Sequence, residues 1–217
     1  MQDGIVQMFS FFWRPMFVPL MATGVVYGYV FGTYLITIVD HAEGVAHASN
    51  DDGAILISAM AFGDFLSRIG TGYITDRHCI SREWMLIINF TLQGVCYLLL
   101  AHLHTVASMA VVALVFGLNN GGTIASMPVL LADHLGDDHL PLTFGMHRLS
   151  MGVASLSRPL LIGYFKDKHD SYNGLFYLVA AACVLVAILW CIIVMADSIK
   201  GLILGRPIHA DALAIPA

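Results

Sequence analysis

Ile55-Leu-Ile-Ser-Ala-Met-Ala-Phe-Gly-Asp-Phe-Leu-Ser-Arg-Ile-Gly-Thr-Gly-Tyr-Ile74 is an apolar stretch long enough to cross a bilayer, with Asp64 and Arg68 near its middle. Each charge costs about 2.5–3.5 kcal/mol at the centre of a membrane helix. Four residues apart on a helix, the two side chains share one face and can pair. A paired acid and base inside a membrane is a candidate pathway or relay. A purely structural pair that fixes helix packing is the other reading, and residue chemistry alone leaves both open.

The rest of the chain agrees with a membrane class. Of 217 residues, 58% are hydrophobic and only 12% charged, where a soluble domain carries about twice that charge. The apolar runs are continuous, which excludes the short alternating segments of a β-barrel. The expected class is all-α integral membrane, with spans near 17–39, 54–74, 85–101, 106–131, 142–164 and 174–196. Residues 1–16 read as a cytoplasmic lead-in, 17–196 as a six-helix bundle and 197–217 as a cytoplasmic tail. The longest connection is expected between Asp40 and Gly53.

Basic residues orient the spans. Arg14, Arg77, Arg82, Lys200 and Arg206 share a side with the termini, and Lys166 and Lys168 lie opposite. The excess places both termini in the cytoplasm. A net charge of −5 argues against a nucleic-acid partner.

Cys96, Cys183 and Cys191 read as small apolar fillers, Cys79 is alone in a polar loop, and His102 and His104 have no third ligand nearby. No metal site and no cofactor is expected. No Ser-His-Asp grouping, zinc spacing or phosphate loop points to an enzyme.

Small residues recur at four-residue spacing: Gly24, Gly28 and Gly32 in span one, and Gly63, Ser67 and Thr71 in span two. Such stripes let helix backbones approach closely. Span four contains Gly117-Leu-Asn-Asn-Gly-Gly122, where the glycines and adjacent amides predict a weakened, locally unwound helix. Asn119 and Asn120 are therefore candidate pathway residues, or else interhelical hydrogen-bonding amides.

Gly72-Tyr-Ile-Thr-Asp76-Arg77, followed by Arg82, resembles the loop signature of the major facilitator superfamily, although its second half is degraded. Further segments resemble the C-terminal half of the monocarboxylate transporter branch. They are Met8 to Phe17, with its aromatics and Pro15; Gly63-Asp64-Phe-Leu-Ser-Arg68; Phe116 to Gly136; and Arg158-Pro159 through Asp167, Tyr172 and Phe176. The resemblance implies half of a major-facilitator fold, two inverted three-helix units, at the plasma membrane. It implies movement of small carboxylates, with a proton as a possible co-substrate. In that reading Arg68 receives the carboxylate, and Asp64 pairs with it when the site is empty. Tyr27, Phe31, Asn119 and Asn120 are further pocket candidates; Gly72, Asp76 and Arg77 would serve conformational exchange. Arg148 and Arg158 read as snorkelling or structural. Family members have twelve helices and this chain holds six. The expected partners are therefore membrane lipid and an N-terminal half, a second copy or a full-length relative. A truncated half that dimerises with or modulates a relative is the alternative function.

Overall fold

The computed structural model describes residues 14–76, 80–137 and 140–203. They form seven α-helices: α1 Phe17–Ala46, α2 Asn50–Asp76, α3 Arg82–Leu100, α4 Val106–Leu135, α5 Leu140–Ser155, α6 Arg158–His169 and α7 Asn173–Ile203. Five of them, α1, α2, α3, α4 and α7, are each long and apolar enough to cross a bilayer. The expected span near 142–164 falls on α5 and α6, neither of which is among these five.

Local chemistry explains the helix ends. α1 closes at His47, which is left-handed and returns its N–H to the Ala42 carbonyl. Two residues later Ser49 caps α2: its N–H and hydroxyl both donate to Asp52 Oδ2, at 2.9 and 2.8 Å. The expected long connection from Asp40 to Gly53 is thus only residues 47–49, because both flanking helices extend into it. Ser81 caps α3, and Gly136 at φ 91° ends α4.

The helices pair as α2 with α4, α3 with α7, and α1 with α5. The α2–α4 contact is the tightest. A Cβ placed on Gly117 would lie 2.0 Å from the Met60 carbonyl oxygen. One on Gly121 would lie 2.4 Å from the Asp64 carbonyl, and one on Gly63 2.3 Å from that of Leu114. The two backbones touch. Gly117 to Gly122 is accordingly not unwound: α4 runs unbroken through it. Packing against α2 outweighs the weak helix propensity of these glycines.

The fifth expected span, near 142–164, is where the helix does break. Leu156 and Ser157 form a turn between α5 and α6. Pro159 supplies the cause, since it has no N–H and its ring meets the carbonyl four residues back, at Ser155. The turn is closed by tighter bonds, Leu156 N–H to Val153 and Ser157 N–H to Ala154, each 3.2 Å.

The core is aromatic. Tyr34 stacks on Phe116 at 4.2 Å, and Tyr97 meets Phe116 edge-on while donating its hydroxyl to the Val30 carbonyl at 2.5 Å. Trp190 Nε1 donates to Thr23 Oγ1 at 2.9 Å, and His41 Nε2 donates to the Leu100 carbonyl at 3.1 Å. These bonds tie α1 to α3 and α7.

Gly117→Ala should lower the melting temperature in detergent, at a cost of about 1–3 kcal/mol for overpacking. Gly145→Ala and Gly152→Ala, whose side-chain space is open, should leave it within about 1 kcal/mol of wild type or raise it. Equal effects at all three positions would refute the backbone contact as the source of stability.

Candidate functional site

α2 carries Asp64 and Arg68 on one face, as the spacing requires. Arg68 Nε donates to Asp64 Oδ2 at 2.7 Å, and Asn120 Nδ2 donates to Asp64 Oδ1 at 2.7 Å. Both carboxylate oxygens are therefore bonded, one within α2 and one across to α4. The close approach at Gly117 and Gly121 is what brings Asn120 within reach. The pair is asymmetric: the Asp64 side chain is 15% exposed and that of Arg68 is 50% exposed. The acid is held largely inside the bundle, and the guanidinium is half exposed.

Tyr27 of α1 is buried next to this pair. It lies within the fields of Asp64, Arg148 and Arg68 and beside the Asn120 amide. Phe31 stacks on it with ring planes 1° apart and centroids 6.2 Å apart. Neither the Tyr27 hydroxyl nor Asn120 Oδ1 makes a hydrogen bond among the described residues. Asn119 takes another course. Its amide donates to the Val115 carbonyl of its own helix at 2.7 Å, so it does not join Asp64.

Three further side chains converge on α1. The ring of His147 covers Gly24, Met151 covers Gly28, and the Arg158 guanidinium fills the side-chain space of Gly32. Arg158 Nη2 donates to the Gly28 carbonyl and to Ser155 Oγ, each at 2.7 Å. Arg158 is thus a structural peg. Arg148 differs: it is exposed, lies 4.8 Å over the Phe144 ring, and has no carboxylate within 4 Å among the described residues. Sequence reasoning passed over His147. Its signal was a histidine inside an apolar span facing a glycine stripe.

The two ends of the bundle are pinned by charge. At one end Arg82 pairs with Asp133, and His134 lies 3.8 Å from Glu83. At the other Lys166 pairs with Asp40 at 3.1 Å, and Tyr172 donates to Asp40 at 2.5 Å. Burial, and then the Asp40 carboxylate, push the Tyr172 hydroxyl well above its ordinary value. Of the loop candidates, Gly72 is exposed with open space at its side-chain position. Asp76 ends α2, and Arg77 lies outside the described residues.

Residues 5–207 match the family model of the Major Facilitator Superfamily. The chain belongs to this superfamily. It is an integral membrane protein of a transporter family. Monocarboxylate transporter 12 of Mus musculus is 27% identical over 188 residues, which is 86% of this chain and 38% of that protein. Monocarboxylate transporter 14 of Mus musculus is 32% identical over 133 residues, 60% of this chain and 25% of that protein. An uncharacterized MFS-type transporter, YhjX of Escherichia coli, is 29% identical over 128 residues, 58% of this chain and 31% of its own length. The chain therefore spans well under half of these relatives.

The two adjacent amides give a direct test of the site. Asn120→Ala leaves one oxygen of a part-buried carboxylate without its donor and should destabilise by about 1.5–3 kcal/mol. Asn119→Ala loses only a bond to its own helix and should cost about 0.5–1.5 kcal/mol. Chemical denaturation of both variants in micelles reads the difference, and equal costs would contradict the Asp64–Asn120 bond.

Proposed function

We propose that this chain forms the substrate-binding half of a transporter for small monocarboxylates. The observation that carries the reading is the Asp64–Arg68–Asn120 group, with Asp64 held inside and Arg68 half exposed. A guanidinium matches a carboxylate through two parallel hydrogen bonds. Arg68 already holds one carboxylate, that of Asp64. An incoming substrate carboxylate competes for it, and Asp64, freed from its partner, becomes a candidate to take a proton. Proton-linked movement follows naturally from that exchange. Tyr27 and Phe31 offer a flat apolar wall beside it, and Asn120 holds Asp64 during the exchange. The names of the mouse relatives agree in substrate class.

The remaining surface suits a half that needs a complement. Phe62, Phe65, Ile69 and Tyr73 leave α2 with a broad apolar face. In this proposal that face meets an N-terminal half of the kind carried by the longer relatives, or a second copy, and lipid covers the remainder. The loop from Gly72 through Asp76 and Arg77 serves conformational exchange. Both termini lie in the cytoplasm of a plasma-membrane protein. Lys166, one of the two basic residues that oppose this orientation, is neutralised by Asp40.

Uptake of radiolabelled pyruvate into proteoliposomes, by the chain alone and by the chain co-reconstituted with the N-terminal half of a relative, tests the proposal. Arg68→Gln should weaken the apparent affinity about 10- to 100-fold, the equivalent of one charge-assisted contact. Asp64→Asn should lower uptake less, since it leaves the receptor in place. Normal uptake and affinity in Arg68→Gln would reduce Arg68 to a structural partner.

Orientation is tested separately. A cysteine at Ser49, in a chain whose native cysteines are replaced, should react with an impermeant maleimide added outside intact cells. Labelling only after permeabilisation would invert the topology.

A further inference from the structure

We infer that Arg148 is a second anion contact of this site, holding the carboxylate of the transported molecule together with Arg68. The inference rests on the transport reading above and adds a residue from a different helix.

The charge inventory leads to it. Between the pinned ends of the bundle, the spans carry one carboxylate, Asp64, and three guanidinium groups, Arg68, Arg148 and Arg158. Asp64 is fully engaged by Arg68 and Asn120. Arg158 is bonded to the Gly28 carbonyl and Ser155 Oγ and wedged over Gly32. Arg148 alone has neither a counter-ion nor a backbone acceptor among the interactions of the described residues. A guanidinium left in this state within a membrane span is complemented by an anion.

Register puts Arg148 beside the pair. His147 sits over Gly24 and Met151 over Gly28, which fixes α5 against α1 on either side of Tyr27. Arg148 follows His147, and a helix rises about 1.5 Å per residue. It therefore lies at the level of the turn that carries Tyr27. Tyr27 is near enough to Arg148, Arg68 and Asp64 for all three charges to act on its hydroxyl. The Tyr27 hydroxyl is buried beside the Asn120 amide and makes no hydrogen bond among the described residues.

Chemistry fits the role as well. Stacking on Phe144 covers the face of the Arg148 guanidinium and leaves its N–H edge available for planar recognition of a carboxylate. With Arg68 neutralised by Asp64 and Arg158 bonded to the Gly28 carbonyl and Ser155 Oγ, Arg148 is the interior cation without an acceptor among the described residues. A monoanion balances it; a neutral amide of the same shape does not.

The experiment uses the purified full chain in a neutral detergent, titrated with sodium pyruvate and with pyruvamide at equal ionic strength. Binding is read by calorimetry and by melting temperature. Wild type should bind pyruvate over pyruvamide. Arg148→Gln should weaken pyruvate binding about tenfold with an unchanged melting temperature before ligand, and Arg148→Lys should keep it within about threefold. Phe144→Ala, which removes the stacking platform but keeps the charge, should weaken it about threefold, and an unchanged affinity there would also count against the inference. Wild-type affinity in Arg148→Gln overturns the inference and leaves the transport reading standing. No preference for pyruvate in the wild-type chain overturns both. A third arm places the chain in nanodiscs with and without phosphatidylglycerol. If Arg148→Gln loses stabilisation by that lipid but not pyruvate binding, Arg148 is a headgroup contact and the inference falls.

Discussion

Direct contact between the backbones of α2 and α4 is the constraint on which the site depends. Gly63, Gly117 and Gly121 remove the side chains that would otherwise hold the helices apart. At that separation the Asp64 carboxylate lies against α4, within reach of the Asn120 amide. A charged group buried without partners would be intolerable in a low-dielectric interior. Here both oxygens are bonded, and one bond comes from Arg68. The arrangement keeps a carboxylate inside the span and leaves its cationic partner half exposed.

The α1 stripe uses glycine in a different way. Gly24, Gly28 and Gly32 do not bring two backbones together; they form a groove that receives His147, Met151 and Arg158 from the broken span. Pro159 breaks that span, and Arg158 at the break finds acceptors in a carbonyl of α1 and a serine of α5. An irregular stretch inside a membrane protein is tolerated where protein groups satisfy it. The break and the peg are thus one device: the proline opens the helix, and the arginine anchors the opened end.

Between these two pairs the aromatic core keeps the helices in register. Tyr97 and Trp190 each spend their polar atom on α1, at Val30 and Thr23. Two further charged pairs lie at the bundle ends, where both partners can share water, and among the described residues the stretches between them carry Asp64, Arg68, Arg148 and Arg158. Each must be neutralised, pegged or complemented by something it binds.

The amino-acid sequence by itself determined the class, the existence of the spans and the acid–base pair. Continuous apolar runs leave no soluble alternative, and a spacing of four residues brings Asp64 and Arg68 together on any helix. It also carried the family, through motifs that keep their order along the chain. What it could not supply was the choice between equal-looking residues. Asn119 and Asn120 are adjacent and chemically identical, yet only Asn120 meets Asp64, because the phase of α4 is set by which glycines touch α2. Gly117 to Gly122 read as a place of unwinding, whereas packing against a second backbone holds it helical. Arg148 and Arg158 looked alike near the ends of a span. Their separation into an exposed cation and a part-buried peg was decided by the Pro159 break and by the groove on α1, and both effects exist only once the helices are packed.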